Sequence, residues 1–188
     1  TDRMFAFCNG MLGRLKGGTA QVNVLISLIF SGMTGSAVAD ASGIGVMEIE
    51  QMKAEGYDAP FSCAITAATA TIGPIFPPSI PMVIYAMLSG ASVGKLFMGG
   101  MVPGVLLAIL LSIYVFFISK KRNYPKGAPF SLKTFGKQLL DSFWALAAVV
   151  IVVVGVVGGL FTATESAAIA VVYSLIVSVF IYKGITWK

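Results

Sequence analysis

The groups in this sequence that could do chemistry are neutral oxygens gathered at two places. One is Ser31-Gly32-Met33-Thr34-Gly35-Ser36, which offers the hydroxyls of Ser31, Thr34 and Ser36 and carbonyls freed around Gly32 and Gly35. The other runs from Thr69 and Thr71 through the carbonyls of Gly73, Pro74, Ile75 and Phe76 to Pro77, Pro78 and Ser79. Carbonyl and hydroxyl oxygens can replace the hydration shell of an alkali cation, and helix C-termini aimed at the same point add partial negative charge. The expected cation set is Ser31, Gly32, Gly35, Ser36, Thr69, Thr71, Gly73 and Pro74. A helix starting near Ala37 would turn its positive end toward the same region and favour an anionic group. Ser36, Ala37, Pro77, Pro78 and Ser79 are therefore the expected substrate-facing residues. One site could hold both a sodium ion and a carboxylate.

The elements that must position these oxygens follow from the uncharged runs. Ala59 to Gly94 is 36 residues without a charge, which as one helix would reach roughly 54 Å against a hydrocarbon core of about 30 Å. Within it, Gly73-Pro74-Ile75-Phe76-Pro77-Pro78-Ser79-Ile80-Pro81 cannot stay helical, because each proline lacks an N–H and clashes with the preceding turn. Two half-helices joined by unwound chain are expected, and bare backbone in lipid survives only under cover. Gly17 to Ala39 is also uncharged, but its Gly/Ser/Thr centre divides it into helix-compatible pieces, Ala20 to Phe30 and Ala37 to Met47. Each is too short to cross, which predicts a re-entrant hairpin; a single glycine-weakened spanning helix is the competing reading. Leu96 to Ser119, Ser142 to Thr164 and Ser166 to Tyr182 supply further spans, with Pro103 expected in the opening turns of the first. Gly155, Gly158 and Gly159 would either permit close packing or loosen the second.

The expected class is an all-α integral membrane protein. Its segments are a lead-in amphipathic or interfacial helix at 1–16, the hairpin at 17–50, a cytoplasmic connector and broken helix at 51–94, and a span at 95–119. A basic cytoplasmic loop at 120–138 and spans at 139–163 and 164–188 complete it. Composition agrees: 57% of residues are hydrophobic and 11% charged, with mean hydropathy +0.89, against about 25% charged in soluble proteins. Histidine is absent, which removes the commonest neutral-pH base and metal ligand. Cys8 and Cys63 carry no zinc or redox spacing. The start at Thr1-Asp2-Arg3 suggests a piece of a larger protein.

Charge supplies direction. Arg14, Lys16, Lys53, Lys120, Lys121, Arg122, Lys126, Lys133, Lys137, Lys183 and Lys188 fall on one face of this threading, and Lys95 on the other. Arg3 lies in a segment of uncertain depth. By the positive-inside rule that face is cytoplasmic. The net charge of +5 is thus topological, and basic residues are not interleaved with aromatics as a nucleic-acid surface requires. The acidic stretch Met47 to Asp58 reads as a solvated connector. Asp40 has two readings, a carboxylate complementing a helix dipole or a group in ion or proton coupling. Thr162 to Glu165 has capping-box spacing and would start the last helix. Thr66 is expected to bond back to a carbonyl one turn earlier. An intramembrane serine enzyme built on Ser36 or Ser79 with Asp40 would, without histidine, need a lysine or a carboxylate as activating partner, and Lys95 falls at an expected interface, so no enzyme activity is expected.

The stretch Phe30 to Asp40, the stretch Met47 to Tyr57, Ile72-Gly73-Pro74-Ile75-Phe76-Pro77-Pro78-Ser79-Ile80-Pro81 with Tyr85, and Thr164-Glu165-Ser166-Ala167-Ala168 together resemble the large membrane (M) subunit of tripartite ATP-independent periplasmic (TRAP) transporters. The resemblance implies an elevator-type ion transporter fold made of two inverted repeats, of which this chain holds about one and the start of the next. It implies a bacterial inner-membrane location, a small membrane subunit (separate or fused) and a periplasmic binding protein. It further implies uptake, driven by a sodium gradient and so with Na+ as the coupling ion, of an organic acid such as sialic acid or a dicarboxylate. Ser31 to Ser36 would be the tip of the inward-facing hairpin, and Thr69 to Pro78 would line the first sodium site. A binding-protein-independent sodium/dicarboxylate symporter, or a channel or scaffold subunit, is the alternative.

Overall fold

Helices alone make up the regular structure of the described residues. The computed structural model describes residues 2–126 and 132–182, without the side chains of residues 2, 3, 132–134 and 163. The expectations for Lys183 and Lys188, and for the side chains of Arg3 and Lys133, lie outside the described residues. The helices are α1 (Asp2–Leu12), α2 (Gly18–Thr34), α3 (Ala37–Ser42), α4 (Ile44–Ala54), α5 (Ala59–Ala70), α6 (Ile80–Ser89), α7 (Val93–Lys121), α8 (Leu132–Val157) and α9 (Ala163–Ile176), the last continuing into a π-helical turn, Val177–Ile181.

Three stretches are long and apolar enough to cross a membrane: Val93–Lys121, Phe135–Val157 and Thr164–Ile181. Their outward side chains, among them Val102, Leu106, Phe117, Leu140, Val154, Val171 and Phe180, are exposed and apolar. That surface suits lipid or further protein rather than water.

Several boundaries shift from the sequence expectation. The first arm, α2, is 17 residues, because Gly35 stops it with φ 60° and an amide donating to the Ser31 carbonyl. Glycine takes this left-handed position without a Cβ penalty, which suits Gly35 to end the arm. The second arm is divided at Gly43 into α3 and α4, and Met47 to Ala54 is helix rather than loop. Pro103 sits in the interior of α7, not its opening turns, because the helix already begins at Val93. The basic segment 120–138 is partly helical: α7 runs to Lys121 and α8 starts at Leu132. Gly155 is close-packed, with Phe161 where a Cβ would stand, while Gly159 turns the chain at φ 69°.

Side-chain pairs fix which ends meet. The Thr19 hydroxyl donates to the Glu55 carboxylate, so the start of α2 lies beside the end of α4. The Gly17 amide donates to the Pro125 carbonyl at 3.2 Å. The Arg122 guanidinium at the end of α7 grips both oxygens of Asp58, at 2.9 and 2.7 Å, and Asp58 caps α5. The starts of α2 and α5 and the ends of α4 and α7 therefore share one end of the molecule, which carries Lys16, Lys53, Lys120, Lys121, Arg122 and Lys126. Tyr57, Phe61 and Tyr124 pack there with ring centroids 4.4–6.3 Å apart. From that end α2 leads away and the α3–α4 arm returns.

Candidate functional site

The turn between α2 and α3 rests on the unwound segment between α5 and α6. The Ile80 amide donates to the Gly35 carbonyl at 3.2 Å. A Cβ built on Gly35 would stand 2.5 Å from the Pro78 carbonyl oxygen and 3.2 Å from the Ser79 Cα. A Cβ on Gly73 would stand 3.2 Å from the Ser36 carbonyl carbon and 3.3 Å from the Ala37 amide nitrogen. Each approach is open because the glycine at that point has no Cβ to fill the gap. Gly35, Ser36 and Ala37 thus meet Gly73, Pro78, Ser79 and Ile80.

The unwound segment is covered on its other side by α7. Gly100 faces the Ile75 carbonyl and Met82, and Gly104 lies against Phe76, whose Cβ would be 2.9 Å from an added Cβ. This glycine face was not singled out in the sequence, although its four-residue spacing on one helix was visible. Inside the segment the Pro77–Pro78 peptide is cis. The Ser79 hydroxyl donates to the Pro74 carbonyl at 2.6 Å and accepts from the Met82 amide at 3.4 Å, so it starts α6 as its N-cap. The break is therefore ordered by proline geometry, one serine and glycine-lined neighbours.

The expected cation residues divide by what their oxygens already do. Ser31 is fully buried and its hydroxyl donates to the Leu28 carbonyl at 2.7 Å. Thr71 donates to the Ala68 carbonyl at 2.6 Å and is exposed. A hydroxyl that has given its proton to a carbonyl keeps lone pairs for a cation. Ser36 caps α3 by accepting from the Ala39 amide at 3.4 Å. Gly32 is buried with Val149 of α8 against it. Gly73 stands at the contact just described, and the Pro74 carbonyl is engaged by Ser79. Thr69 is turned elsewhere: its hydroxyl donates to Asn23 Oδ1 at 2.7 Å, with the Thr66 carbonyl at 3.0 Å. Asn23 Nδ2 in turn donates to the Thr66 hydroxyl at 2.8 Å. The expected back-bond of Thr66 thus gives way to an interhelical one. Asn23 was missed by sequence reasoning; a lone amide in an uncharged helix was its only signal.

Of the expected substrate-facing residues, Pro78 and Ser79 line a cavity of about 840 Å³ together with Gly32, Met33 and Thr34. Its far wall is α8 and α9, through Val149, Val152, Thr164 and Ala167 among others. Ser36, Ala37 and Pro77 are not among its lining residues, and Pro77 is buried beneath the tip. The cavity's polar lining residues are Thr34 and Ser79 on the near side and Thr164, Ser174 and Ser178 on the far side. Thr162 caps α9 in a full capping box with Glu165, as its spacing led us to expect.

The acidic segment corrects the sequence reading. Glu50, Lys53 and Glu55 are exposed, but Glu48 is only 1% exposed. Helix formation over Ile44–Ala54 turns one carboxylate inward, which a loop would have left in water. Asp40 is buried as well, at 2% exposure. Among the described residues there is no cluster of three or more His, Cys, Asp or Glu suited to a metal.

The tip is held on a proline-rich break among helices with apolar outer faces, and comparison with known proteins names the lineage. All of residues 1–188 match the family described as "Tripartite ATP-independent periplasmic transporter, DctM component". The chain belongs to that family. It is 43% identical over 188 residues to the sialic acid TRAP transporter permease protein SiaT of Haemophilus influenzae, covering 100% of this chain and 30% of that protein. It is 41% identical over 186 residues to the sialic acid TRAP transporter large permease protein SiaM of Vibrio cholerae, covering 99% and 44%. It is 36% identical over 181 residues to the C4-dicarboxylate TRAP transporter large permease protein DctM of Pseudomonas aeruginosa, covering 96% and 42%. The chain thus spans less than half the length of these relatives. With its apolar spans, family membership makes it an integral membrane protein, of a family named for transport rather than catalysis.

Proposed function

We propose that this chain is part of the large permease of a sodium-coupled symporter that carries an organic acid, sialic acid or a C4-dicarboxylate, across a bacterial inner membrane. The observation that carries the reading is the seat of Gly35–Ala37 on Gly73–Ile80, which brings two sets of neutral backbone and hydroxyl oxygens to one place. In this reading α2 and the α3–α4 arm form a re-entrant hairpin, and α5 and α6 are halves of one broken membrane helix. The fold moves as an elevator, with the basic end facing the cytoplasm. Ser31, Gly32, Gly35, Ser36, Thr71, Gly73 and Pro74 offer oxygens to sodium; Thr69 supports the half-helix through Asn23. The acid would bind beside the tip, where Pro78 and Ser79 open onto the large cavity. The names of the relatives support the partners: a small membrane subunit, and a periplasmic binding protein that delivers the substrate. One relative, the isethionate TRAP transporter permease protein DctMQ of Oleidesulfovibrio alaskensis, is 41% identical over 186 residues. Its name joins DctM with a Q element, which supports a fused small subunit as one arrangement.

Uptake by the complete assembly in proteoliposomes tests this. Saturable uptake that needs both sodium and the binding protein is expected, and it should be lost when potassium replaces sodium. Ser36→Ala should raise the sodium concentration needed for half-maximal uptake. Flux that follows only the electrochemical gradient, indifferent to sodium and to the binding protein, would instead make this a channel component.

A further inference from the structure

A second ionisable site lies off the tip, where α4 packs against α2, α3 and α5. Glu48 is 1% exposed, and its Oε1 has no hydrogen-bond partner. The charged neighbour acting on it is Asp40 of α3, itself 2% exposed with an unpartnered Oδ2. From α1 the buried Cys8 joins the same apolar cluster as Ile44 of α4. Helices α2 and α5 contain no charged residue; the polar groups they bury are Thr19, Gln21, Asn23, Ser27 and Ser31, and Ser62, Thr66 and Thr69.

Two buried carboxylates on helices packed against each other resist being ionised together, because each loses its hydration and each repels the other. The two are not equivalent. Asp40 stands in the first turn of α3, where helix amides favour negative charge, and the buried Ser27 of the adjoining α2 is a hydroxyl available to it. Glu48 lies in the middle of α4 with no such support. A proton on Glu48 removes the repulsion and turns a buried acceptor that has no donor into a donor of its own.

We propose that Glu48 is a proton-binding site: it is held as a neutral carboxylic acid beside an ionised Asp40, and its proton keeps the α3–α4 arm packed on α2. Raising the pH until Glu48 ionises puts a second negative charge under that arm and loosens it. The sign follows from linkage: the folded arm holds a proton that an unfolded glutamate has already released, so stability falls as pH rises. This is independent of the sodium reading and can fail separately from it.

The test uses the complete transporter in lipid nanodiscs and the infrared carbonyl stretch of a protonated carboxylic acid. At neutral pH the natural protein should show such a band, which disappears on raising the pH. Glu48→Gln should abolish it, while Asp40→Asn should keep it to higher pH, since the neighbouring charge is gone. Glu48→Gln should also retain uptake at neutral pH and hold its rate at alkaline pH where the natural protein loses it. No acid band at neutral pH, as a sodium ion bound between two carboxylates would give, overturns the proposal. So does a band that Glu48→Gln leaves in place. Should that variant fail to fold, carbon-13 labelling of glutamate carboxyls in the natural protein reads the same proton directly. A fully ionised glutamate set at neutral pH refutes it.

Discussion

Gly35→Ala is the sharpest perturbation of the seat between tip and break. The residue has φ 60°, and a side chain there meets the Pro78 carbonyl oxygen at 2.5 Å, the Ile80 amide nitrogen at 3.0 Å and the Ser79 Cα at 3.2 Å. All three are backbone atoms, so no rotamer change relieves the contact. Left-handed backbone costs an L-residue about 1–2 kcal/mol. Overpacking by a methyl group adds about 1–3 kcal/mol. The seat should therefore lose about 2–5 kcal/mol, and even the lower figure is roughly thirtyfold in an equilibrium constant. If sodium is held by oxygens from both sides of the seat, that loss appears as weaker sodium binding. The assay is uptake by the complete assembly at stepped sodium concentrations, and the expected result is a half-maximal sodium concentration raised by roughly thirtyfold or more. Gly56→Ala is the control: its φ is 91°, but nothing lies within 4 Å of the added carbon. It imposes the backbone strain without the collision. Equal sodium dependence in the two variants would refute the argument that contact between tip and break builds the ion site.

Asn23→Leu should destabilise the purified transporter by about 1–3 kcal/mol, since the buried Thr66 hydroxyl loses its donor while Thr69 keeps only the Thr66 carbonyl. Thr69→Val in the Asn23→Leu background should then cost less than it does alone, which a double-mutant cycle reads. At the basic end, the hydrogen bond from Arg122 holds the Asp58 carboxyl below the ordinary carboxylate range. Its stabilisation is present above that range and is lost as pH falls through the lowered value. Thermal melts on acidification should therefore show a smaller loss in Arg122→Gln than in the natural protein. High salt should mimic the substitution, because this pair is exposed.

Much of this molecule could be read from local rules. A proline cannot continue a helix, so the end of α5 near Ala70 and the restart of α6 after Ser79 were fixed by four prolines whatever surrounds them. Thr162 and Glu165 announced the start of α9, because a capping box closes on itself within four residues. The uncharged runs gave three spans by length alone, though not their ends: α7 and α8 extend into charged sequence because Lys95, Lys120, Lys121 and Lys137 are good helix formers. Tertiary structure decided what those rules cannot contain. Helical phase turned Glu48 inward while Glu50 and Glu55 stayed in water. An amide from α2 drew the hydroxyls of Thr66 and Thr69 into an interhelical network, taking Thr69 away from the tip. Gly35, Gly73, Gly100 and Gly104 are ordinary glycines in the sequence, and only the fold shows that each lies where another backbone or side chain must pass. Helix starts and stops depend on bonds within a few residues, so sequence carries them; the company a buried oxygen keeps depends on chain brought from 40 or more positions away, so only packing assigns it.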